Sequence, residues 1–488
     1  MAELDLIVKN VQVVRPNQDK VEKMDLGIKD GKFVKIAPEI KPDEANEVFD
    51  GENKLAFPGV IDAHTHVGIY KHISEDAPTE TAAAAMGGVT TMITYFRSGG
   101  LYLDKGGSYK EFIPELLQLS EGKYNCDYGY HIAPVQGIHV KEMEYLLQQG
   151  ITTFKIFMFY GLHGLHGKSD QQSKWLRLDE GDDYNLVHFE FIMREAARLQ
   201  EKYPELADYI SVSLHCETPE MLKRYATITE DRTDISGLSA YSDARPPHSE
   251  SMAVAMAGHL AHITGCKNIN LLHLTSKDAI DAAETMRRAY PEINFGFETT
   301  AGHLLLDAES CPMGVWAKVN PPIRPKEDVE YLWEKVKDGT IEWVITDHAN
   351  CPKDQKVDKD DPDNIWKAKA GFGGVEYLLH GMFSEGTKRG LSPNKIAELV
   401  SWNPSRRFGL LNKGDIDIGF DADLALLDPN EEWTIHHEDS PSSQGYTPFE
   451  GIDVKGRVKN TFLRGNMVFD NGKVVGDKIG KFVKRPTK

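Results

Sequence analysis

The stretch PGVIDAHTHVG places His64 and His66 two residues apart. On a strand that spacing puts both imidazoles on one face, where both can reach one ion. The pair closes an apolar run opened by Pro-Gly, and Asp62 is expected to orient one of the rings. Alone, such a pair is a weak signal, because a histidine more often serves a surface or core than a metal. SVSLHCE, INLLHLTS and WVITDHAN add His215, His273 and Asp347 near the ends of three more apolar runs. Each has a plain structural explanation, as a hydrogen-bonded core histidine or a carboxylate capping a helix. Together, four histidines and an aspartate at the ends of four strands suit Zn²⁺, Mn²⁺, Fe²⁺ or Co²⁺ with coordination positions left open.

TTFKIFMFY, residues 152–160, raises a different question, because Lys155 sits inside an aromatic-rich apolar run. Lysine is among the residues least often buried. Burial depresses its pKa by disfavouring the ammonium, and a neutral amine is nucleophilic. Addition to CO₂ would give a carbamate, an anion whose two oxygens can bridge two metal ions. Two divalent cations would repel an ammonium and attract that anion. A snorkelling lysine, a Schiff-base lysine and a salt bridge are the competing explanations.

These side chains need a frame. Between about Phe57 and Leu410, apolar runs (VTTMITYF, TTFKIFMFY, YISVSLHCE, INLLHLTS, INFGFETT, WVITDHAN) alternate with segments of helical period. Those segments are FEFIMREAARLQEKY, SESMAVAMAGHLAHITG, SKDAIDAAETMRRAY and PKEDVEYLWEKVKDG. The pattern predicts an α/β chain with a closed (β/α)8 TIM barrel over residues 57–411, whose reactive groups gather at the C-terminal ends of the strands. An open doubly wound sheet has less support, since no GxGxxG or GxxxxGK[ST] follows a strand. The flanks read as short strands and turns, with the hairpin signature LGIKDGKFVKIA before the barrel and NMVFDNGKVVG after it. Neither flank is long enough to close a β-domain alone. Residues 1–56 and 412–488 are therefore expected to form one small β-sandwich domain from both termini.

The remaining bounds are negative. A net charge of −19 over 488 residues argues against gripping nucleic acid or an anionic membrane. MAELDLIVKN lacks a basic segment followed by an apolar one, no apolar run approaches the roughly 20 residues of a membrane span, and the five cysteines show no CxxC spacing. A cytoplasmic protein with reduced cysteines is expected.

The order HTH, FKIFMFY, LHCE, HLTS, ITDHAN resembles the amidohydrolase superfamily, and within it the cyclic amidohydrolases: dihydropyrimidinase, hydantoinase, allantoinase and dihydroorotase. The resemblance covers nearly the whole chain, including GGVTT, RPPHSES, ETTAGHLLLD, NPPIRPKED, NPSRRFGL and DIDIGFDADLALLD. It implies two divalent metal ions, usually Zn²⁺ with Mn²⁺ or Co²⁺ as alternatives, bridged by an N6-carboxylated Lys155. His64, His66 and Asp347 would hold one ion, and His215 and His273 the other. It further implies that a metal-bridging hydroxide opens a cyclic amide or ureide. Asp347 would take up and return the proton, and Tyr160 would steady the carbonyl oxygen. Asn320, which opens NPPIRPKED, is a further expected substrate contact. His163 and His166 in GLHGLHGKSD are weighed against a plain solvated loop. A homo-oligomer, tetramer or dimer, is implied as well.

Departures bear on the substrate. Gly68 stands where dihydroorotases carry an arginine, which argues against dihydroorotate. TTAGH at 299–303 and Ala370-Gly371 replace the TCPHY-like and Asn-Gly stretches of hydantoinases and dihydropyrimidinases. An acyclic amide, carbamate or N-acyl amino acid hydrolase on the same scaffold is the second reading. A non-catalytic assembly protein is the third, and it predicts missing ligands where here every position is filled.

Overall fold

The computed structural model describes residues 3–161, 163–164, 167–168, 176–178 and 182–487. Eight parallel strands follow one another around a barrel. They are β1 (Val60–Thr65), β2 (Val89–Phe96), β3 (Asp127–Ile132), β4 (Thr153–Phe157), β5 (Ser211–His215), β6 (Asn268–Leu271), β7 (Asn294–Thr300) and β8 (Trp343–Ile345). The ring closes through a bridge between Thr65 and His348, where the His66 N–H donates to the His348 carbonyl at 2.7 Å. All eight positions of β2 are buried, as they must be in a strand covered by helices outside and side chains inside.

Seven of these strands are the expected ones, and β3 is the addition. Its sequence, DYGYHI, mixes Asp, Gly and His with tyrosines and so has neither alternation nor an apolar run, yet every position is buried. TTFKIFMFY is a strand only as far as Phe157. Met158–Gly161 turn into a 3₁₀ segment, so Tyr160 lies beyond the strand rather than on it. The four expected helices form over Leu186–Lys202, Pro247–Thr264, Lys277–Ala289 and Lys326–Lys337. Local chemistry fixes their ends. The Asn185 and Ser276 side chains accept backbone N–H groups of the first turn, Pro247 opens its helix, and Gly265 closes it with φ 74°.

The two termini build a single nine-stranded mixed sheet. They meet where Leu55–Pro58 pairs antiparallel with Leu424–Thr434. The predicted hairpins turn at Asp30-Gly31 (φ 50°, 76°) and Asn471-Gly472 (φ 43°, 90°), both pairs left-handed as two-residue hairpin turns require. At Gly59 the chain passes from this sheet into β1. A Cβ there would stand 2.1 Å from Thr90 Oγ1, so only glycine permits the approach. The C-terminal tail returns beneath the barrel. Val483 donates to the Tyr128 carbonyl at 2.8 Å, and the buried Arg485 guanidinium donates to the Tyr130 carbonyl at 2.6 Å. No helix among the described residues is long and apolar enough to cross a membrane.

Candidate metal centre and its pocket

The ends of the strands bring the expected residues together. His66, Lys155, Tyr160, His215, His273, Asn320 and Asp347 line one cavity of about 40 Å³. At 10–15 Å³ per water-sized group, this is room for roughly three such occupants. His64 sits behind them, its ring centroid 5.3 Å from that of His66 and 5.4 Å from that of His273. The His215 and His273 rings are 4.3 Å apart. The side chain of His163 and all of His166 lie outside the described residues.

His64 Nε2 and His66 Nε2 each stand 3.1 Å from Asp347 Oδ1, and the three residues form a candidate metal-binding group. Close as they are, His64 Nε2 and Asp347 Oδ1 have no hydrogen-bond partner among the described residues, and neither has His273 Nδ1 or Lys155 Nζ. Buried polar atoms that converge without bonding one another are expensive unless something else satisfies them. Donor atoms bonded to one ion at about 2.0–2.2 Å stand roughly 3.3 Å from each other, so the spacing fits a shared metal. Protonation states agree. Burial holds His64, His215 and His273 below the usual imidazole range, hence neutral. Burial works against the Asp347 carboxylate, but the polar groups around it, His64, His66 and Lys155, outweigh it and hold its pKa low. Neutral imidazole and ionised carboxylate are the forms that bind metal.

Lys155 is fully buried. Its Nζ lies 4.5 Å from the Tyr95 ring centroid and 4.9 Å from that of Phe157. Burial lowers its pKa to about 7, against the pull of Asp347 and Glu298. Two of the cavity residues adopt left-handed backbone, His273 at φ 35° and Asp347 at φ 57°. Non-glycine residues held there concentrate at functional sites.

A model of the amidohydrolase family matches residues 324–468. Beyond that segment, the chain is 32% identical to an allantoinase of Rubrobacter xylanophilus, over 99% of this chain and 98% of the relative. The chain belongs to the amidohydrolase family. A D-hydantoinase of Ralstonia pickettii is equally similar to this amidohydrolase, 32% identical over 99% of each. The crystal structure of a dihydropyrimidinase from Brevibacillus agri matches it with a TM-score of 0.83 over 98% of both chains at 26% identity.

Around the candidate ligands, the structure adds residues such as Glu298, Glu217 and Arg245 to those the sequence singled out. Glu298, at the core of β7, accepts from three sides: His64 Nδ1 at 2.7 Å, Trp343 Nε1 at 2.8 Å and the His273 N–H at 3.2 Å. Burial pushes its pKa up to about 8. Asp62, expected to orient a ring, does not. It accepts the Thr346 N–H at 3.2 Å and the Thr346 hydroxyl, and so fastens β1 to the end of β8. Its place beside the histidine pair suggested the role, but two residues along a strand is the same face as His64, pointing at β8 rather than back at the ring. His215 Nε2 pairs with Glu217 at 2.6 Å, which Arg245 grips in turn, so Nδ1 is the nitrogen left to coordinate. Tyr160 stacks on Phe157, centroids 4.9 Å apart, beneath the Arg97 guanidinium at 5.5 Å. The Tyr241 hydroxyl donates to Asn320 Oδ1 at 2.6 Å.

A second acidic group, Asp127, Asp421 and Asp423, also satisfies the spacing for an ion. Lys413 fills it, its ammonium 2.8, 3.3 and 2.6 Å from the three carboxylates in that order. It is a buried ion cluster at the opposite end of β3, not a metal centre.

Proposed function

We propose that this amidohydrolase opens a cyclic amide or ureide of the hydantoin, dihydropyrimidine or allantoin kind, using two divalent ions. The observation that carries the reading is a fully buried Lys155 amine, without a hydrogen-bond partner among the described residues, in one cavity with His66, His215, His273 and Asp347. His64, His66 and Asp347 would hold one ion, His215 and His273 the other, and Lys155, carboxylated on Nζ, both. The ions supply an acidified water and a polarised carbonyl.

The chain supplies the rest. Asp347, ionised and fixed by its two histidine neighbours, takes the proton of the attacking water and returns it to the departing ring nitrogen. Tyr160, presented by the 3₁₀ turn after Lys155, donates its hydroxyl to the carbonyl oxygen as negative charge grows there. Asn320, on the cavity wall, completes the substrate contacts. Ile69, Phe159 and Val319 make the cavity wall apolar and keep bulk water away. Ring opening of a ureide gives an N-carbamoyl acid, with the water oxygen in the new carboxylate. The exposed Leu186, Val187 and Phe191 on one helix support a homo-oligomer, and five unpaired cysteines support a reducing, cytoplasmic setting.

A hydrolysis screen with added Zn²⁺, Mn²⁺ or Co²⁺ tests this. Turnover of hydantoin, dihydrouracil or allantoin above that of N-acyl amino acids is expected, with close to two ions per chain by elemental analysis. Full activity in metal-free protein sinks the mechanism, and preference for N-acyl compounds replaces the substrate class.

A further inference from the structure

The loop after β2 brings to the metal centre a side chain that the mechanism above leaves unused. Its base is pinned where the Gly99 N–H donates to the Lys105 carbonyl at 2.6 Å. Between these residues Leu101, Tyr102 and Asp104 all hold left-handed backbone, at φ 69°, 55° and 52°. Three non-glycine residues in that region need surroundings that enforce it. The outcome is that Tyr102 points inward. Its ring packs on Phe96 with centroids 4.4 Å apart, and it lines the cavity. Its hydroxyl lies 2.7 Å from His66 Nδ1.

A neutral imidazole has one proton, so its two nitrogens take opposite roles. His66 Nε2 is the nitrogen facing Asp347 Oδ1, at 3.1 Å. A nitrogen that coordinates an ion has no proton, so the proton belongs on Nδ1, which donates to the tyrosine oxygen. Were Tyr102 instead to donate to Nδ1, the proton would sit on Nε2 and block coordination. We propose that Tyr102 is a positioning residue that fixes the Nδ1–H form and the ring plane of His66, and through them the affinity for the ion His66 helps to hold. Glu298 and Glu217 do the corresponding work for His64 and His215, at 2.7 and 2.6 Å. Among these three histidines, His66 is braced by a phenol rather than a carboxyl group. The inference rests on the metal-site reading above.

Two measurements test it. The first is the Zn²⁺ affinity of the loaded wild type and of Tyr102→Phe, by competition with a chelator. The variant keeps the ring and its packing, so circular dichroism should be unchanged while affinity falls about 10–100-fold, the usual loss when a ligand's outer partner is removed. The second needs no variant: ¹⁵N NMR of histidine-labelled, zinc-loaded wild type should find the His66 proton on Nδ1. An affinity within twofold of wild type, or the proton on Nε2, overturns the inference while leaving the metal centre intact. Wild-type protein that takes up no Zn²⁺ overturns both.

Discussion

An amine buried as Lys155 is persists by losing its proton or by finding an anion. Two aromatic rings flank its Nζ and no described residue bonds it, while a pKa near 7 leaves a large neutral fraction at neutral pH. Addition of the neutral amine to CO₂ forms the N–C bond of a carbamate and releases one proton; counted from the ammonium, two protons leave, and the product is an anion that bound metal ions would attract. The expected consequence is chemical rescue. Lys155→Ala should lose metal and activity by more than the roughly 10–100-fold of an outer-partner loss, and short carboxylic acids should restore part of both. In wild type, ¹³CO₂ should label a carbamate carbon visible by NMR. No label together with full activity in Lys155→Ala would show that the lysine is merely buried. Asp347 makes a separate demand at this scale: as the proton carrier it should not tolerate Asp347→Asn, which keeps size but accepts no proton. Wild-type turnover in that variant would refute the role.

At the scale of elements, the barrel is thinly paired at its seam. β8 has only three residues, and the β-bridge that closes the ring, Thr65 to His348, falls beyond its end. Asp62 mends the seam by binding the backbone and hydroxyl of Thr346. His66 and Asp347 leave the barrel on either side of that seam, so closing it also sets the spacing of two candidate metal ligands. Asp62→Ala should lower stability by about 1–3 kcal/mol, the cost of leaving the Thr346 N–H and hydroxyl without their buried acceptor, read by urea unfolding. It should also weaken metal binding, and a variant as stable as wild type would assign closure to the backbone alone. This division explains what the sequence makes legible. The candidate ligands His64, His66, Lys155, His215, His273 and Asp347 declare themselves because each interrupts or ends an apolar run that strand period makes conspicuous. Asp62, Glu298 and Tyr102 act on partners far along the chain, and Tyr102 does so from a loop whose left-handed turns no residue type signals. β3 escaped because burial by its neighbours, not its own pattern, makes DYGYHI a strand.

For the whole molecule, the question is what fixes a sheet drawn from both termini against the barrel's lower end. Lys413 is the hub. Its ammonium bonds Asp127 at the start of β3, and Asp421 and Asp423 just before the strand Leu424–Thr434, while Arg464 also pairs with Asp127. The carboxylates hold the Lys413 pKa well above the ordinary lysine value, which makes its contribution one that is present below pH about 10.4 and lost above it. Asp127, whose pKa Lys413 and Arg464 hold low despite burial, contributes stability that is present above pH about 3.9 and lost as the pH falls through its folded value. Asp423 runs the other way, raised by burial and only partly offset by Lys413, so it softens the acid loss. Lys413→Met leaves three carboxylates buried together and should cost about 3–5 kcal/mol at neutral pH. Its sign with pH is the sharper test. Without the ammonium the carboxylates repel, their folded pKa values rise above the unfolded ones, and acidification from neutral toward pH about 5 should recover part of the loss. Urea unfolding of both proteins across that range would show the gap closing as pH falls. A gap that stays constant would mean that Lys413 joins the two halves by packing rather than by charge.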